Sequence, residues 1–281
     1  MESTLWFKLF FRFLIVIIPI YVLSIYINDT SEDHVKDQLI HSMVLSNQFF
    51  IQSFEDEIAH TIRLQQELFS DTDLNKLSIL SDTMNEYEKT SSILRVQEKI
   101  RVINNAGKFT QHVKVYITSL DRLITPYEIS QPAPKDLNSL IVSRSKVGPI
   151  LISWNNKLML GNPYQTGRDA NGQPIFLVGV ELSISRIKDV LNQFSEVNKG
   201  GEIYFVNFDD NWMISNNVND RDISEIIDYV KENVNLHKSN HNEIEINKDK
   251  YLIAYEYSDF LNFALIVNMP REHALGPFRT L

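Results

Sequence analysis

The chain has 281 residues, 43 % of them hydrophobic and 22 % charged, proportions that support a sizeable core and exclude wholesale disorder. Its 27 Lys and Arg stand against 36 Asp and Glu, a formal net charge of −9 without any dense basic cluster, which argues against a nucleic-acid partner. The absence of cysteine removes thiol catalysis, disulfide frameworks and Cys-ligated zinc.

Residues 1–8 are short and carry Lys8, and residues 9–27 read LFFRFLIVIIPIYVLSIYI, with Arg12 as the only charge. As a helix this stretch is long enough to cross a hydrocarbon core of about 30 Å. It ends in bulky residues rather than in a small-residue cleavage site, so an uncleaved anchor is expected in place of a signal peptide. Lys8 and Arg12 precede the apolar core while Asp29, Glu32 and Asp33 follow it. The positive-inside rule then puts residues 1–8 in the cytoplasm and everything after Asn28 outside. Pro19 within the span predicts a mild kink.

Residues 28–107 form a helical stalk region. Val35, Leu39, Met43, Phe50, Phe54, Ile58 and Ile62 recur at steps of four or seven, so a helix over about 31–69 is predicted to continue the span outward. Ser70-Asp71-Thr72-Asp73 is a polar break with N-cap chemistry for a following helix. A second helix is predicted over 85–105, stopping at Asn104-Asn105-Ala106-Gly107.

At Gly107 the hydrophobic period changes from helical to two. Over residues 108–199, His112 to Thr118 alternates as a half-buried strand, and Leu120-Asp121-Arg122 is a tight connection to 123–125. A short helix is predicted over 135–142, strands over 149–154, 157–160 and 174–183, and a closing helix over 184–197. The same element order returns over 200–269, with strands at 202–208 and 212–215, a helix at 222–234, and strands at 242–246, 251–257 and 262–268. The polar turn Asn247-Lys248-Asp249-Lys250 joins the first two of these last strands. The repeat is one of element order, since the two units have negligible sequence identity. Gly200-Gly201 marks the boundary between them.

Ser143-Arg144-Ser145-Lys146 matches the S-x-x-K nucleophile pattern, but its companion S-D-N and K-T-G elements do not occur. His237 and His241 are spaced for one helix face yet lie in a polar stretch with no third ligand nearby, so no metal is expected. There is no H-E-x-x-H, no G-x-S-x-G and no phosphate-cradling Gly loop, and neither an enzyme nor a cofactor is expected of this chain. For ligand recognition, the informative stretch runs from Trp154-Asn155-Asn156 to Tyr164-Gln165-Thr166-Gly167-Arg168-Asp169. Aromatic faces beside amide, guanidinium and carboxylate groups suit a small polar solute such as a carbohydrate. The competing reading is that Asn-Asn and Gly-Arg-Asp are hairpin turns. With Tyr116, this stretch gives the candidate ligand residues Tyr116, Trp154, Tyr164, Arg168 and Asp169. The later strands of the first unit are joined by a long loop, whereas the second unit has only the four polar residues 247–250 there, so the first unit is the expected site.

The run Met84-Asn85-Glu86-Tyr87-Glu88-Lys89-Thr90, the run Leu94-Arg95-Val96-Gln97-Glu98-Lys99-Ile100 and His112 to Ile117 together resemble the sensor region of YesM-like two-component histidine kinases. The tail Asn268 to Phe278 (NMPREHALGPF) is similar to the segment that leads such kinases into a second transmembrane helix, and residues 270–281 are read as its start. The resemblance covers essentially the whole chain. It implies an α+β double Cache architecture, in which a transmembrane and stalk helix carries two PAS-like antiparallel-sheet modules, 108–199 distal to the membrane and 200–269 proximal. It implies an extracytoplasmic sensor in the cell membrane, homodimeric through its stalk and binding its solute in the distal module. The kinases continue with a second span, a HAMP linker, a phosphoacceptor histidine and an ATP-binding domain, none of which occurs before Leu281. The chain is therefore expected to be the input half of a receptor, either a truncated gene product or a fragment. The input region of a membrane-bound transcription regulator or chemoreceptor, and a stand-alone anchored solute-binding protein, are alternatives that the residues leave open.

Overall fold

The computed structural model describes residues 2–145, 151–161, 167–198, 201–208, 212–216, 223–233, 240–246 and 249–279. Helix α1 runs unbroken from Glu2–Phe69, through Pro19. Helix α2, Thr72–Leu80, starts at Asp71, whose side chain accepts from the Leu74 amide at 2.8 Å. After a 3-10 turn at Ser81–Thr83, helix α3, Glu86–Ala106, opens on a capping box between Asn85 and Glu88. Across these two short-loop neighbours, Arg95 of α3 grips Asp73 of α2 through two bonds of 2.8 and 2.9 Å. The Arg95 hydrogen bond holds the Asp73 carboxyl below the usual carboxylate range.

The first sheet contains β1 (Thr110–Ile117), β2 (Arg122–Ile124), β3 (Ile129–Ser130), β4 (Leu151–Trp154), β5 (Lys157–Leu160) and β6 (Phe176–Leu182), in the spatial order β3-β2-β1-β6-β5-β4. Helix α4, Pro134–Ser145, crosses from β3 to β4, and α5, Ile184–Val197, leads out of the sheet from its Ser183 cap. The second sheet contains β7 (Glu202–Asn207), β8 (Trp212–Ser215), β9 (Asn240–Ile246), β10 (Asp249–Ser258) and β11 (Phe263–Pro270), ordered β8-β7-β11-β10-β9, with α6 (Ile223–Asn233) as its crossing helix. All described strand pairs are antiparallel. Counting β1, β2, β4, β5 and β6 as its five main strands, the first sheet has the order 2-1-5-4-3, and the second has the same. The expected repetition of element order is therefore also a repetition of topology. The turn expected over 247–250 is narrower than the sequence suggested: Asp249 and Lys250 already pair with Ile246 and Glu245, and Asn247 and Lys248 lie outside the described residues. Gly200 also lies outside them.

The core is organised by α1. Ile40, Met43, Asn47, Ile51, Phe54, Ile58, Thr61, Gln65 and Leu68 are buried at steps of three and four, forming one seam. The lower part of the seam meets the second sheet, where Asn47 donates to the Ala254 carbonyl at 3.2 Å and Ser258 donates to Glu55 at 2.5 Å. The upper part meets the first sheet, with the Phe69 and Phe176 rings 5.6 Å apart. At the crossover, the ring of Phe54 lies 4.9 Å from Phe109, 5.0 Å from Phe205 and 5.8 Å from Phe263, so one side chain touches both units. The inner faces of the two sheets, Val113, Val115, Val178 and Val180 in one and Ile203, Phe205, Leu252 and Leu265 in the other, thus belong to a single apolar cluster.

Helix α7, Arg271–Arg279, follows β11 directly and buries Ala274 and Leu275 in that cluster. Beside it, Glu243 of β9 is approached by Arg271 at 2.7 Å, by Lys36 of α1 at 3.5 Å and by Lys250 of β10 at 3.8 Å. Among the described residues no helix is long and apolar enough to cross a membrane. The span expected at 9–27 falls partly outside that finding, because the side chains of Leu9, Phe11, Arg12, Ile25 and Ile27 are not among those described.

Candidate functional site

Strand alternation gives the first sheet two faces with different work. Val113, Val115 and Ile117 of β1, and Phe176, Val178, Val180 and Leu182 of β6, face the helices. Lys114 and Tyr116, and Leu177, Gly179 and Glu181, therefore face the opposite side, under α4. The register places Lys114 across from Gly179, Tyr116 between Leu123 and Leu177, and Glu181 across from Met159. Leu140 of α4 packs with Leu123 and Leu177, and Tyr116 packs against this small cluster.

Gly179 lets α4 sit this close. A Cβ there would stand 2.3 Å from the Leu140 Cδ2 atom, so Gly179→Ala requires the tip of the Leu140 side chain to shift. A cost of about 1–3 kcal/mol is expected from such overpacking. Urea titration checks it, and unchanged stability would mean that α4 is not seated on the sheet.

Two ion pairs flank the glycine. The ammonium of Lys114 donates to Asp136 of α4 at 2.9 Å, and that of Lys157 meets both oxygens of Glu181 at 2.9 and 2.7 Å. Burial raises the Asp136 carboxyl, but the hydrogen bond and charge of Lys114 outweigh it and leave the group below its ordinary value. Tyr116 is pushed up, first by burial and then by donating its hydroxyl to Asp121 at 3.1 Å. The face thus offers ammonium donors and carboxylate acceptors above an apolar floor that includes Ile152 and Met159. Such groups can exchange hydrogen bonds with a small polar molecule, and none of those named here is a nucleophile poised beside a general base.

The five residues expected from sequence are only partly brought together. Thr118 donates its amide to Ile175 at 3.1 Å, and Ile175 donates to Gly167 at 3.0 Å, which puts the Arg168–Asp169 hairpin at the Tyr116 end of the sheet. Trp154 shares the Tyr116 face but pairs with Lys157, at the opposite end and three strands away. The six-residue offset amounts to roughly 20 Å along the strands. Tyr164 lies outside the described residues, as do Lys146, His237 and the side chains of Ser143, Arg144, Ser145 and His241. Arg168 donates to the Gly172 carbonyl at 3.0 Å, and Asp169 accepts from the amides of Asn171 and Gln173 at 2.9 and 2.7 Å. Both side chains shape their own hairpin. Asn155 and Asn156, at φ 48° and 61°, make the tight β4–β5 turn. Sequence reading passed over Lys114, Asp136, Lys157 and Glu181. The signal for three of them was present, since carrying the β1 alternation into β5 and β6 puts Lys114, Lys157 and Glu181 on the Tyr116 face. Among the described residues no group of three or more His, Asp or Glu could hold a metal ion.

No family model matches the chain, and no curated protein matches it. Solved structures do. The extracellular domain assigned to the histidine kinase mmHK1S-Z3 aligns with a TM-score of 0.55 at 11 % identity, over 88 % of this chain and 98 % of that one. The extracellular domain assigned to the histidine kinase vpHK1S-Z8 gives 0.54 at 9 %, over 89 % and 96 %. A domain assigned to a sensory box/GGDEF family protein of Vibrio parahaemolyticus gives 0.53 at 10 %, over 86 % and 98 %. At these identities the likeness is one of fold: a long N-terminal helix carrying two antiparallel sheets, in the class that includes extracellular domains of histidine kinases.

Proposed function

We propose that this chain is the membrane-anchored, extracytoplasmic sensing region of a two-component histidine kinase, a double Cache domain of the YesM-like kind. The observation that carries the reading lies on α1. Phe13, Ile15, Val16, Ile18, Ile20, Tyr21, Val22 and Leu23 are all exposed, apolar on every side of the helix, in a segment continuous with the two-sheet body. A helix apolar all round needs a non-aqueous surrounding. The shared 2-1-5-4-3 strand order supports the PAS-like reading of both units, and the likeness to extracellular kinase domains supports the compartment.

The solute is a small polar molecule, held on the outer face of the first sheet near Tyr116, Arg168 and Asp169 and within reach of the Lys114–Asp136 pair. Trp154, roughly 20 Å along the strands from Tyr116, stands apart from this solute site. Binding there biases the packing of α4 against the sheet, and α1 carries the shift toward the membrane. The partner is a second copy of this chain. A groove of about 720 Å³ runs along the outside of α1 past His41, Leu45, Phe49 and Phe194, with Phe49 78 % exposed. Two copies anchored in one membrane present this stripe in parallel, which suits a two-fold helix pair.

The native chain has no cysteine, so single-cysteine variants test both claims. In intact cells a membrane-impermeant maleimide is expected to label Asp249→Cys and to spare Ser3→Cys until the cells are lysed. Mild oxidation is expected to cross-link Phe49→Cys into a dimer. Equal labelling of both positions, or a soluble secreted form beginning after residue 27, would overturn the topology.

A further inference from the structure

The chain holds one Asn-Gly sequence, Asn171-Gly172, and it sits at the tip of the hairpin that carries Arg168 and Asp169. The hairpin is short and closed. The Asp169 amide donates to the Gln173 carbonyl at 2.7 Å, the Gly172 amide donates back to the Asp169 carbonyl at 3.0 Å, and Arg168 forms an antiparallel bridge with Pro174. Gly172 stands at φ 77°, a left-handed conformation that a residue without Cβ adopts freely. Asn171 and Gly172 are both exposed, and a Cβ built on Gly172 would meet nothing within 4 Å.

Such a place favours one reaction of asparagine. A backbone amide nitrogen can attack the side-chain carbonyl carbon of the asparagine before it, and any side chain on the attacking residue hinders the approach. Glycine offers no such hindrance. Asn47, Asn104, Asn198, Asn207 and Asn268 are protected by burial. Asn155 and Asn156 make the sharper comparison, because they too are exposed in a tight hairpin turn, but the residues that follow them, Asn156 and Lys157, both carry side chains. At Asn171 solvent reaches the side chain and nothing packs on the glycine. One restraint opposes the attack: the Gly172 nitrogen is tied to the Asp169 carbonyl, in a turn that the Asp169 carboxylate fixes by accepting from the amides of Asn171 and Gln173 at 2.9 and 2.7 Å. Opening of the hairpin tip frees that nitrogen, a local event that needs none of the core to unfold.

We propose that Asn171 is a site of spontaneous deamidation, timed by the opening of this hairpin. The Gly172 nitrogen gives its proton to solvent base and bonds to the Asn171 Cγ, while the Cγ–Nδ2 bond breaks and Nδ2 leaves as ammonia with a proton returned by the solvent. Water then opens the succinimide ring, at Cγ to give aspartate or at the main-chain carbonyl to give isoaspartate, with no change of oxidation state. Either product sets a new carboxylate beside that of Asp169. Isoaspartate also routes the main chain through its Cβ, one carbon longer. The turn from Asp169 to Gly172 then cannot keep its bonds, and Arg168 loses the Gly172 carbonyl to which it donates at 3.0 Å. The modification stands whether or not a solute is held near Tyr116.

Trypsin separates the comparison, because cleavage after Lys146, Lys157, Arg168 and Arg186 puts Asn171 in peptide 169–186 and both Asn155 and Asn156 in peptide 147–157. The full chain in detergent micelles is aged in warm, mildly alkaline buffer beside a urea-unfolded sample. Mass spectrometry is expected to show the amide-to-acid mass gain in peptide 169–186 ahead of peptide 147–157, and isoaspartyl methyltransferase is expected to label the former. Asn171→Gln should lose both signals. The folded chain is expected to convert more slowly than the unfolded one, and Asp169→Ala, which removes the carboxylate that fixes the turn, is expected to narrow that gap. Amide hydrogen exchange at Gly172 and Gln173 should rise in the aged chain. An intact amide in the folded chain once the unfolded one has converted overturns the proposal, as does earlier conversion of peptide 147–157. Equal rates in the wild type and Asp169→Ala would show that the hairpin does not time the reaction and would equally overturn it.

Discussion

Replacing Ile58 by alanine is expected to cost about 3–5 kcal/mol of unfolding free energy, near the upper end for a deleted core side chain. Ile58 is 0 % exposed and lies one turn above Phe54 on the α1 seam, where the inner faces of both sheets converge on the helix. A cavity there cannot close by a shift of one element, because any movement of α1 toward the first sheet draws it away from the second. Urea denaturation of the full chain in micelles, followed by tryptophan emission, provides the measurement. Both units should lose stability together, in one transition with an earlier midpoint. Separate transitions, only one of them shifted, would show that the seam is not shared.

Reversing the charge of Glu243 is the second large perturbation. The wild-type carboxylate stands among Lys36, Lys250 and Arg271, so Glu243→Lys leaves four cations together at the meeting point of α1, β9, β10 and α7. Their side chains are between 20 % and 52 % exposed, so solvent screens part of the repulsion, and a cost of about 1–3 kcal/mol is expected. The local consequence is sharper than the global one. Arg271 opens α7, and without its bond to Glu243 the first turn of that helix should fray from α1. Amide hydrogen exchange over Arg271–Arg279 is expected to rise at low salt and to fall back when Arg271→Glu is added. Exchange unchanged by the charge reversal would show that Ala274 and Leu275 alone hold α7 in place.

Much of this architecture was legible because its local signals are strong. The closing helix predicted at 184–197 matches Ile184–Val197, with Ser183 as its cap, and the hairpin strands at 157–160 and 212–215 also match. The stalk periodicity was found but centred on its flank. Val35, Leu39, Phe50 and Ile62 are only partly buried, while the true seam passes through Asn47, Thr61 and Gln65, polar residues that a hydrophobic pattern skips. Strand β3 escaped detection because two residues carry no period, whereas the capping chemistry at Ser70–Asp73 announced α2, whose nine residues hold too little pattern to give its bounds. The site was less legible for a different reason. Trp154 and Tyr116 do share a face, as alternation alone allowed, but their separation along that face depends on how β1, β6, β5 and β4 are offset, and register is a property of strand pairs. Asp136 reaches Lys114 only because α4 crosses back over the sheet. The donor–acceptor pairs are assembled from segments that carry no motif.

That α1 serves both sheets also sets the order in which the molecule can be completed during synthesis. Asn47 of α1 bonds to Ala254, 207 positions later in the chain. At about 5–20 residues per second, the stretch from Ile40 to Phe54 waits on the order of 10–40 s before β10 and β11 emerge to cover it. The first sheet can close on Ile58 to Leu68 well before that. During the interval the nascent chain displays an uncovered apolar stripe beside a finished half, the kind of surface on which chaperones act and neighbouring chains aggregate. Slow, late pairing of distant segments belongs to topologies of high contact order. Here the long shared helix concentrates that delay in the second sheet, so β10 and β11 decide whether the lower part of the α1 seam is buried.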